Sequence, residues 1–255
     1  MKPKTTLHAS IIILTFLVAL YGKSLLQNFI ELQFSSYAIR IIYSYSWWVI
    51  PVVIVTAALY GFRNVLKNLG LQKGFLMGLA FSIIVVLPMF LGSAIIGKFV
   101  ADMNLLQVFH KTFLAGFMEE LLFRGFLFGL LFRKLKWGFI PASLPGAIIF
   151  GMSHLYQGSG ITETLGIFTV TFIGALWFAW LYIEWDDNLW VPIWMHILMN
   201  LSWTIFDVSS NALGGFEANI FRIITIALSV LITIAYCRRR KLFRINKSNL
   251  LINPH

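Results

Sequence analysis

Apolar residues occur along this chain in eight long runs, with short polar connections between them. A helix that crosses the hydrocarbon core of a bilayer needs about 20 predominantly apolar residues, and each run is close to that length. The pattern therefore predicts an all-α polytopic membrane protein, with about eight transmembrane helices in one bundle around an intramembrane polar cavity. The predicted runs are 7–27, 41–62, 74–97, 108–132, 138–156, 164–184, 188–206 and 217–237.

Composition supports the same fold class. Of the 255 residues, 59% are hydrophobic and 12% are charged, whereas an ordinary globular domain has roughly 25% charged residues. The mean hydropathy is +0.82. So few charges cannot cover a soluble surface, and the polar connections leave no room for a soluble domain. We expect residues 1–255 to form a single membrane domain.

The formal net charge of +10 would favour a nucleic-acid partner in a soluble protein. Here the basic residues lie mostly between apolar runs, where they orient the helices and contact anionic lipid, so no nucleic-acid partner is expected. With eight spans, 14 of the 20 basic residues lie on one side and five on the other. The positive-inside rule then predicts that both termini are cytoplasmic, with a basic tail at 238–255. The cluster of basic residues at 238–244 in this tail is interpreted as a stop-transfer anchor, in preference to a lipid or partner site.

A few ionisable side chains lie inside the predicted spans. Each costs a few kcal/mol on insertion scales, so such groups are candidates for function. Asn200, which is polar but not ionisable, lies one helical turn after His196. The six candidates are Glu119, Glu120, Arg124, His154, His196 and Asn200.

The spacing in the fourth run separates two roles. Glu120 and Arg124 are four residues apart, so they share a helix face and can form an ion pair. Glu119 is rotated by about 100° from that face and has no partner within the helix. We therefore assign Glu120 and Arg124 to structure, and Glu119 to chemistry as a general base or acid. The alternative is that all three form an ion-paired helix contact only.

The two histidines have weaker signals when each is considered alone. His196 and Asn200 are four residues apart and face the same way. Such a pair, considered alone, is more typical of interhelical hydrogen bonds than of a catalytic site. His154 taken singly is more typical of a hydrogen-bonded interface histidine than of a catalyst. Gly125 and Gly129 form a GxxxG step, which indicates close helix packing around the fourth run.

Three segments together carry a more specific pattern. They are Glu119-Glu120-Leu-Leu-Phe-Arg124, Phe150-Gly-Met-Ser-His154 and His196-Ile-Leu-Met-Asn200. In this order, each within an apolar run, they resemble the EExxxR, FxxxH and HxxxN-type motifs of the CAAX protease and bacteriocin-processing (CPBP, or Abi) family of intramembrane proteases. The pattern covers a core at about 105–205.

This resemblance implies a membrane endopeptidase and a role for each residue. Glu119 would activate water beside Glu120, and Arg124 would orient the two carboxylates. His154 would assist the water or bind a metal, while His196 and Asn200 would stabilise the tetrahedral oxyanion. A zinc site that includes Glu119, His154 and His196 and metal-free glutamate catalysis both fit the pattern. No HExxH sequence is present, which disfavours the zinc proteases that use it.

Two other functions compete with the protease. The first is a catalytically silent family member that acts as a bacteriocin-immunity or scaffold protein. The second, a small-molecule or proton-coupled carrier with Glu119 and Glu120 as its relay, is disfavoured because no internal repeat is visible. The expected partners are the bilayer and a membrane-embedded or lipidated peptide or protein substrate. The composition, rich in Ile, Lys and Asn, favours a bacterial plasma membrane.

Overall fold

The structure is a computed structural model that describes residues 3–30 and 32–252, with side chains from residue 5 onward. Eight helices of more than ten residues make up most of it, and the described residues form no β-strand beyond an isolated bridge between Trp137 and Ile252. The chain is therefore an all-α protein. These helices are α1 (Pro3–Gln27), α2 (Tyr37–Tyr60), α3 (Phe75–Ile96), α4 (105–134), α5 (Phe139–Met152), α6 (Ile161–Glu184), α7 (Trp190–Ile205) and α8 (Phe216–Arg239), with short turns of helix at Phe62–Asn64, Val65–Asn68, Leu155–Gln157 and Lys247–Asn249.

Six helices of the described chain are long and apolar enough to cross a membrane, and they coincide with six of the eight predicted runs. The predicted runs 108–132 and 188–206 also form helices, α4 and α7, but neither meets that criterion. The 16 residues of α7 give it a length of about 24 Å, less than a hydrocarbon core of about 30 Å. A polytopic membrane protein is thus confirmed, whereas the count of eight spans stays a prediction.

Helix α4 lies at the centre of the bundle. The side chain of Phe123 packs edge-on against Phe16 of α1 and Phe150 of α5, with 5.1 Å between ring centroids in each case. Every residue of the segment Glu120–Phe128 is buried. A helix that is apolar on all sides fits this position, because it contacts other helices all round.

Much of α4 is π-helical, including the whole of Glu120–Phe128. π-Helices are rare and usually confined to a single turn, and they are frequent at functional sites. The wider turn leaves Glu120 and Arg124 on one face, so the pair predicted from an α-helical spacing still forms. The unusual backbone therefore coincides with the segment that carries the buried pair of Glu120 and Arg124.

Two glycines let neighbouring elements approach α4 closely. A Cβ on Gly116 would lie 2.9 Å from Ile197 Cγ1 and 3.0 Å from the Ile197 backbone nitrogen. A Cβ on Gly125 would lie 2.8 Å from Leu189 Cδ2. Side chains at these positions would separate α4 from α7, as expected where small residues mediate helix packing. The contact at Gly116 is one residue from His196 and sets the position of that histidine against α4.

The segment after α8 folds back onto the bundle. The buried carboxylate of Glu184, at the end of α6, accepts hydrogen bonds from the backbone N–H groups of Arg244 and Ile245, each at 3.0 Å. Arg240 pairs with Asp186, and Arg244 pairs with Asp187 at 3.1 Å. Part of the predicted basic tail is thus held by acidic partners and does more than anchor the last helix.

The predicted orientation depends on some residues that the structure does not describe. Lys2, the side chain of Lys4 and residues 253–255 of the predicted tail lie outside the described part of the chain. The cytoplasmic placement of both termini therefore stays a prediction.

Candidate active site

The first motif forms a buried ion pair on α4. Arg124 Nη1 donates to Glu120 Oε1 at 3.0 Å, and the side chains of Arg124 and Glu120 are 3% and 0% exposed. A charge in so apolar a setting is stabilised only by a close partner. The arginine also lies over the ring of Phe150, with 4.5 Å from Cζ to the centroid. The pair is therefore held on one side by α5.

His196 of α7 joins the first motif to the third. Its Nδ1 lies 2.8 Å from Glu120 Oε1, and its Nε2 lies 3.7 Å from Glu119 Oε2. Because a carboxylate can only accept, Nδ1 carries the proton of the shorter contact. This bond orients the ring so that Nε2 is directed towards Glu119. Two carboxylates from adjacent positions on α4 thus flank one imidazole.

Glu119 and Glu120 have different surroundings despite being neighbours. Glu120 is fully buried, and its Oε1 contacts both Arg124 and His196. The side chain of Glu119 is 22% exposed, and its one ion-pair contact within the described part of the chain is the 3.7 Å approach to His196. Glu119 is therefore the more accessible glutamate of the pair.

The other two candidates are Asn200, one helical turn after His196 in α7, and His154, which lies in the chain between Arg124 and His196. Asn200 Nδ2 donates to the backbone oxygen of Lys111 at 3.3 Å, which ties α7 to the start of α4. His154 follows the end of α5, and its Nδ1 lies 2.7 Å from the carbonyl oxygen of Phe150. Since the carbonyl can only accept, Nδ1 carries the proton and Nε2 of the neutral ring is left as an acceptor.

A cavity of about 480 Å³ opens beside these residues. Four of the six candidates line it, namely Arg124, His154, His196 and Asn200, whereas the two glutamates do not. Glu119 and Glu120 adjoin the cavity through His196, which contacts both. A 3.7 Å contact is longer than a normal hydrogen bond, and hydrogen bonds at active sites are often long before substrate binds.

A metal site was one of the two mechanisms that the sequence left open. Among residues 5–30 and 32–252, no three His, Cys, Asp or Glu side chains are arranged so that they could hold a metal ion. His154 directs its Nδ1 at a backbone carbonyl, while His196 is held by Glu120. The set Glu119, His154 and His196 is thus not assembled as a ligand sphere in this arrangement.

The structure adds two residues that the sequence pattern did not indicate. Arg222 of α8 and Trp203 of α7 line the same cavity. Arg222 is one of the five basic residues on the second side in the eight-span prediction, although it lies within the predicted run 217–237. An arginine inside an apolar run is itself a signal of function, and that signal would have identified it.

Comparison with known proteins agrees with the motifs. Residues 101–202 match the family model described as type II CAAX prenyl endopeptidase Rce1-like. No curated protein and no solved structure matches the chain. The matched segment contains all six candidate residues, and it omits α1 to α3 and α8. Over residues 101–202, the chain is similar to type II CAAX prenyl endopeptidases of the Rce1-like family.

Proposed function

We propose that this protein hydrolyses a peptide bond of a membrane-associated or lipidated protein or peptide. Glu119 acts as the base, and His196 and Asn200 bind the oxyanion. The observation that carries the proposal is the 2.8 Å contact between His196 Nδ1 and Glu120 Oε1. This contact joins the first and third motifs across two helices. It also holds the imidazole beside the more accessible glutamate.

In the proposed reaction, the oxygen of a water molecule forms a bond to the carbonyl carbon while Glu119 takes its proton. His154 orients the water through its free Nε2. The carbonyl oxygen becomes an oxyanion, and it accepts hydrogen bonds from Nε2–H of a doubly protonated His196 and from the Asn200 amide. The C–N bond then breaks, and the proton held by Glu119 passes to the leaving amine.

Glu120 and Arg124 support this reaction without touching the substrate. Arg124 compensates the charge of Glu120 in the apolar core, and Glu120 in turn fixes the His196 ring. A carboxylate that orients a histidine in this way keeps its reacting nitrogen directed at the substrate. We therefore assign both as positioning residues.

The cavity fits a peptide that unwinds from the bilayer. Its walls are largely apolar, with Met199 and Phe178 beside the candidate site. Irregular backbone is tolerated at membrane depth only where protein or a water-filled cavity surrounds it. We place the protein in the bacterial plasma membrane, with both termini in the cytoplasm.

Hydrolysis can be tested directly with a short lipidated peptide. The probe carries a farnesylated cysteine followed by three residues, and it is incubated with purified protein in water enriched in oxygen-18. We expect mass spectrometry to show cleavage, with one oxygen-18 atom in the new carboxyl group. His196→Ala should abolish this product, whereas the matched variant His8→Ala on α1 should retain it. If the wild type leaves this peptide and a panel of membrane peptides intact, the protease assignment is wrong, and the silent scaffold is favoured.

Chelation separates the two mechanisms that the sequence left open. Because no three ligating side chains converge in the part of the chain that the structure describes, we expect cleavage to survive treatment with a strong chelator. Metal analysis of the purified protein should then find far less than one zinc ion per chain. Loss of cleavage on chelation, restored by added zinc, would instead show that the site rearranges around a metal.

A further inference from the structure

Arg222 is a buried cation near the start of α8. The residue is 8% exposed and lies about 9 Å from the first residue of the helix, Phe216. Its Nη2 donates to the carbonyl oxygen of Ala212 at 2.9 Å. The guanidinium also stacks over the ring of Trp203, with 4.3 Å from Cζ to the centroid. These contacts fix the orientation of the guanidinium.

One nitrogen of this guanidinium, Nη1, lacks a hydrogen-bond partner in the described part of the chain. Among the described residues, Arg222 forms no ion pair, and its Nη1 is buried without a hydrogen-bond acceptor. The Nε1 of Trp203 is likewise buried without an acceptor. Buried donors are nearly always paired, so unpaired donors on two stacked side chains point to a bound acceptor as their partner. A charged donor in a membrane protein makes an anionic acceptor the best match.

The unpaired donors belong to the same cavity as the candidate active site. Arg222 and Trp203 line it together with His196 and Asn200, and no Asp or Glu is among the described lining residues. The cavity therefore contains positive charge that no carboxylate of its own offsets. A peptide with its scissile carbonyl at His196 can extend within this space towards Arg222.

We propose that Arg222 and Trp203 bind a carboxylate of the peptide substrate and so determine which peptides are cleaved. This inference rests on the proposed protease function. The carboxylate comes from one of two sources, the free C-terminus of the peptide or an acidic side chain beyond the scissile bond. A purely structural role, holding the loop at 206–215 through Ala212, accounts for Nη2 but leaves Nη1 and Trp203 Nε1 unexplained.

Binding can be measured separately from cleavage in the Glu119→Gln background. The probes are three fluorescent forms of the farnesylated peptide: the free acid, its C-terminal amide, and an amide with aspartate as the last residue. We expect the carboxylate form that the site recognises to bind about 10- to 100-fold more tightly than the plain amide, as for a charge-assisted hydrogen bond. Preference for the free acid identifies the C-terminus, and preference for the aspartyl amide identifies the side chain.

The same probes are then applied to variants of Arg222. Arg222→Gln should reduce the preference to near unity, and Arg222→Lys should keep part of it because the charge remains. The matched control is Arg239→Gln, an exposed arginine at the far end of α8, which should preserve the full preference. Equal binding of all three peptides, binding of none, or a preference that persists in Arg222→Gln would overturn the proposal. The proposed protease function is tested separately, and it is wrong if the wild type does not cleave peptides.

Discussion

Glu119→Gln is expected to lower the rate of peptide cleavage by about 10²- to 10⁴-fold, the range over which a general base contributes. Glutamine has the same shape but cannot take a proton from water at neutral pH. Its amide oxygen can still face His196 Nε2, so the helix packing around the 3.7 Å contact should persist. The variant should therefore insert, purify and unfold at the same temperature as the wild type.

The measurement is the cleavage rate of the farnesylated peptide at saturating concentration, alongside the thermal unfolding midpoint in detergent. Glu217→Gln is the matched control, because that glutamate is exposed at the start of α8 and lies outside the cavity. Its cleavage rate should equal that of the wild type. Undiminished cleavage by Glu119→Gln would remove Glu119 from the mechanism.

Arg124→Met is expected to have the largest effect on stability, a loss of about 3–5 kcal/mol in the free energy of unfolding. Removing the guanidinium leaves the Glu120 carboxylate, which is 0% exposed, without its 3.0 Å partner. An uncompensated buried charge is far more costly than a neutral residue. Arg239→Met is the control, since Arg239 is exposed and makes no ion pair among the described residues.

A double variant distinguishes the loss of charge balance from the loss of packing. Glu120→Gln combined with Arg124→Met removes both charges, so it should recover much of the lost stability. It should still be impaired in cleavage, because a neutral amide does not stabilise the doubly protonated His196 as the Glu120 carboxylate does. A double variant as unstable as Arg124→Met would show that packing of the arginine, and not charge balance, stabilises α4.

Periodicity predicted local features well in this chain. The apolar runs gave the membrane helices, and the four-residue spacing of Glu120 and Arg124 gave their ion pair, which forms even in a π-helical segment. Periodicity could not predict which side chains of different helices come into contact. The bond from His196 to Glu120 joins residues 76 positions apart, and it depends on the close packing at Gly116.

Arg222 shows a second kind of limit. In the sequence, Arg222 indicated only the orientation of the helices. A charge near a helix end looks the same in the sequence whether it faces a lipid headgroup or a cavity. The surroundings of Arg222 distinguish the two cases. Its Cζ lies 4.3 Å from the centroid of the Trp203 ring, and it lines the same cavity as His196. This environment arises from the contact between Arg222 of α8 and Trp203 of α7, which the sequence pattern does not predict.

The return of the chain onto Glu184 has a consequence for biosynthesis. This carboxylate is buried at the end of α6, yet its two backbone donors belong to residues 60 and 61 positions further along the chain. Until those residues have been synthesised, the glutamate lacks the N–H groups that compensate its burial. A chain truncated after α8 is therefore expected to have a less stable bundle at this end than the full chain, because the buried Glu184 carboxylate would lack both backbone donors.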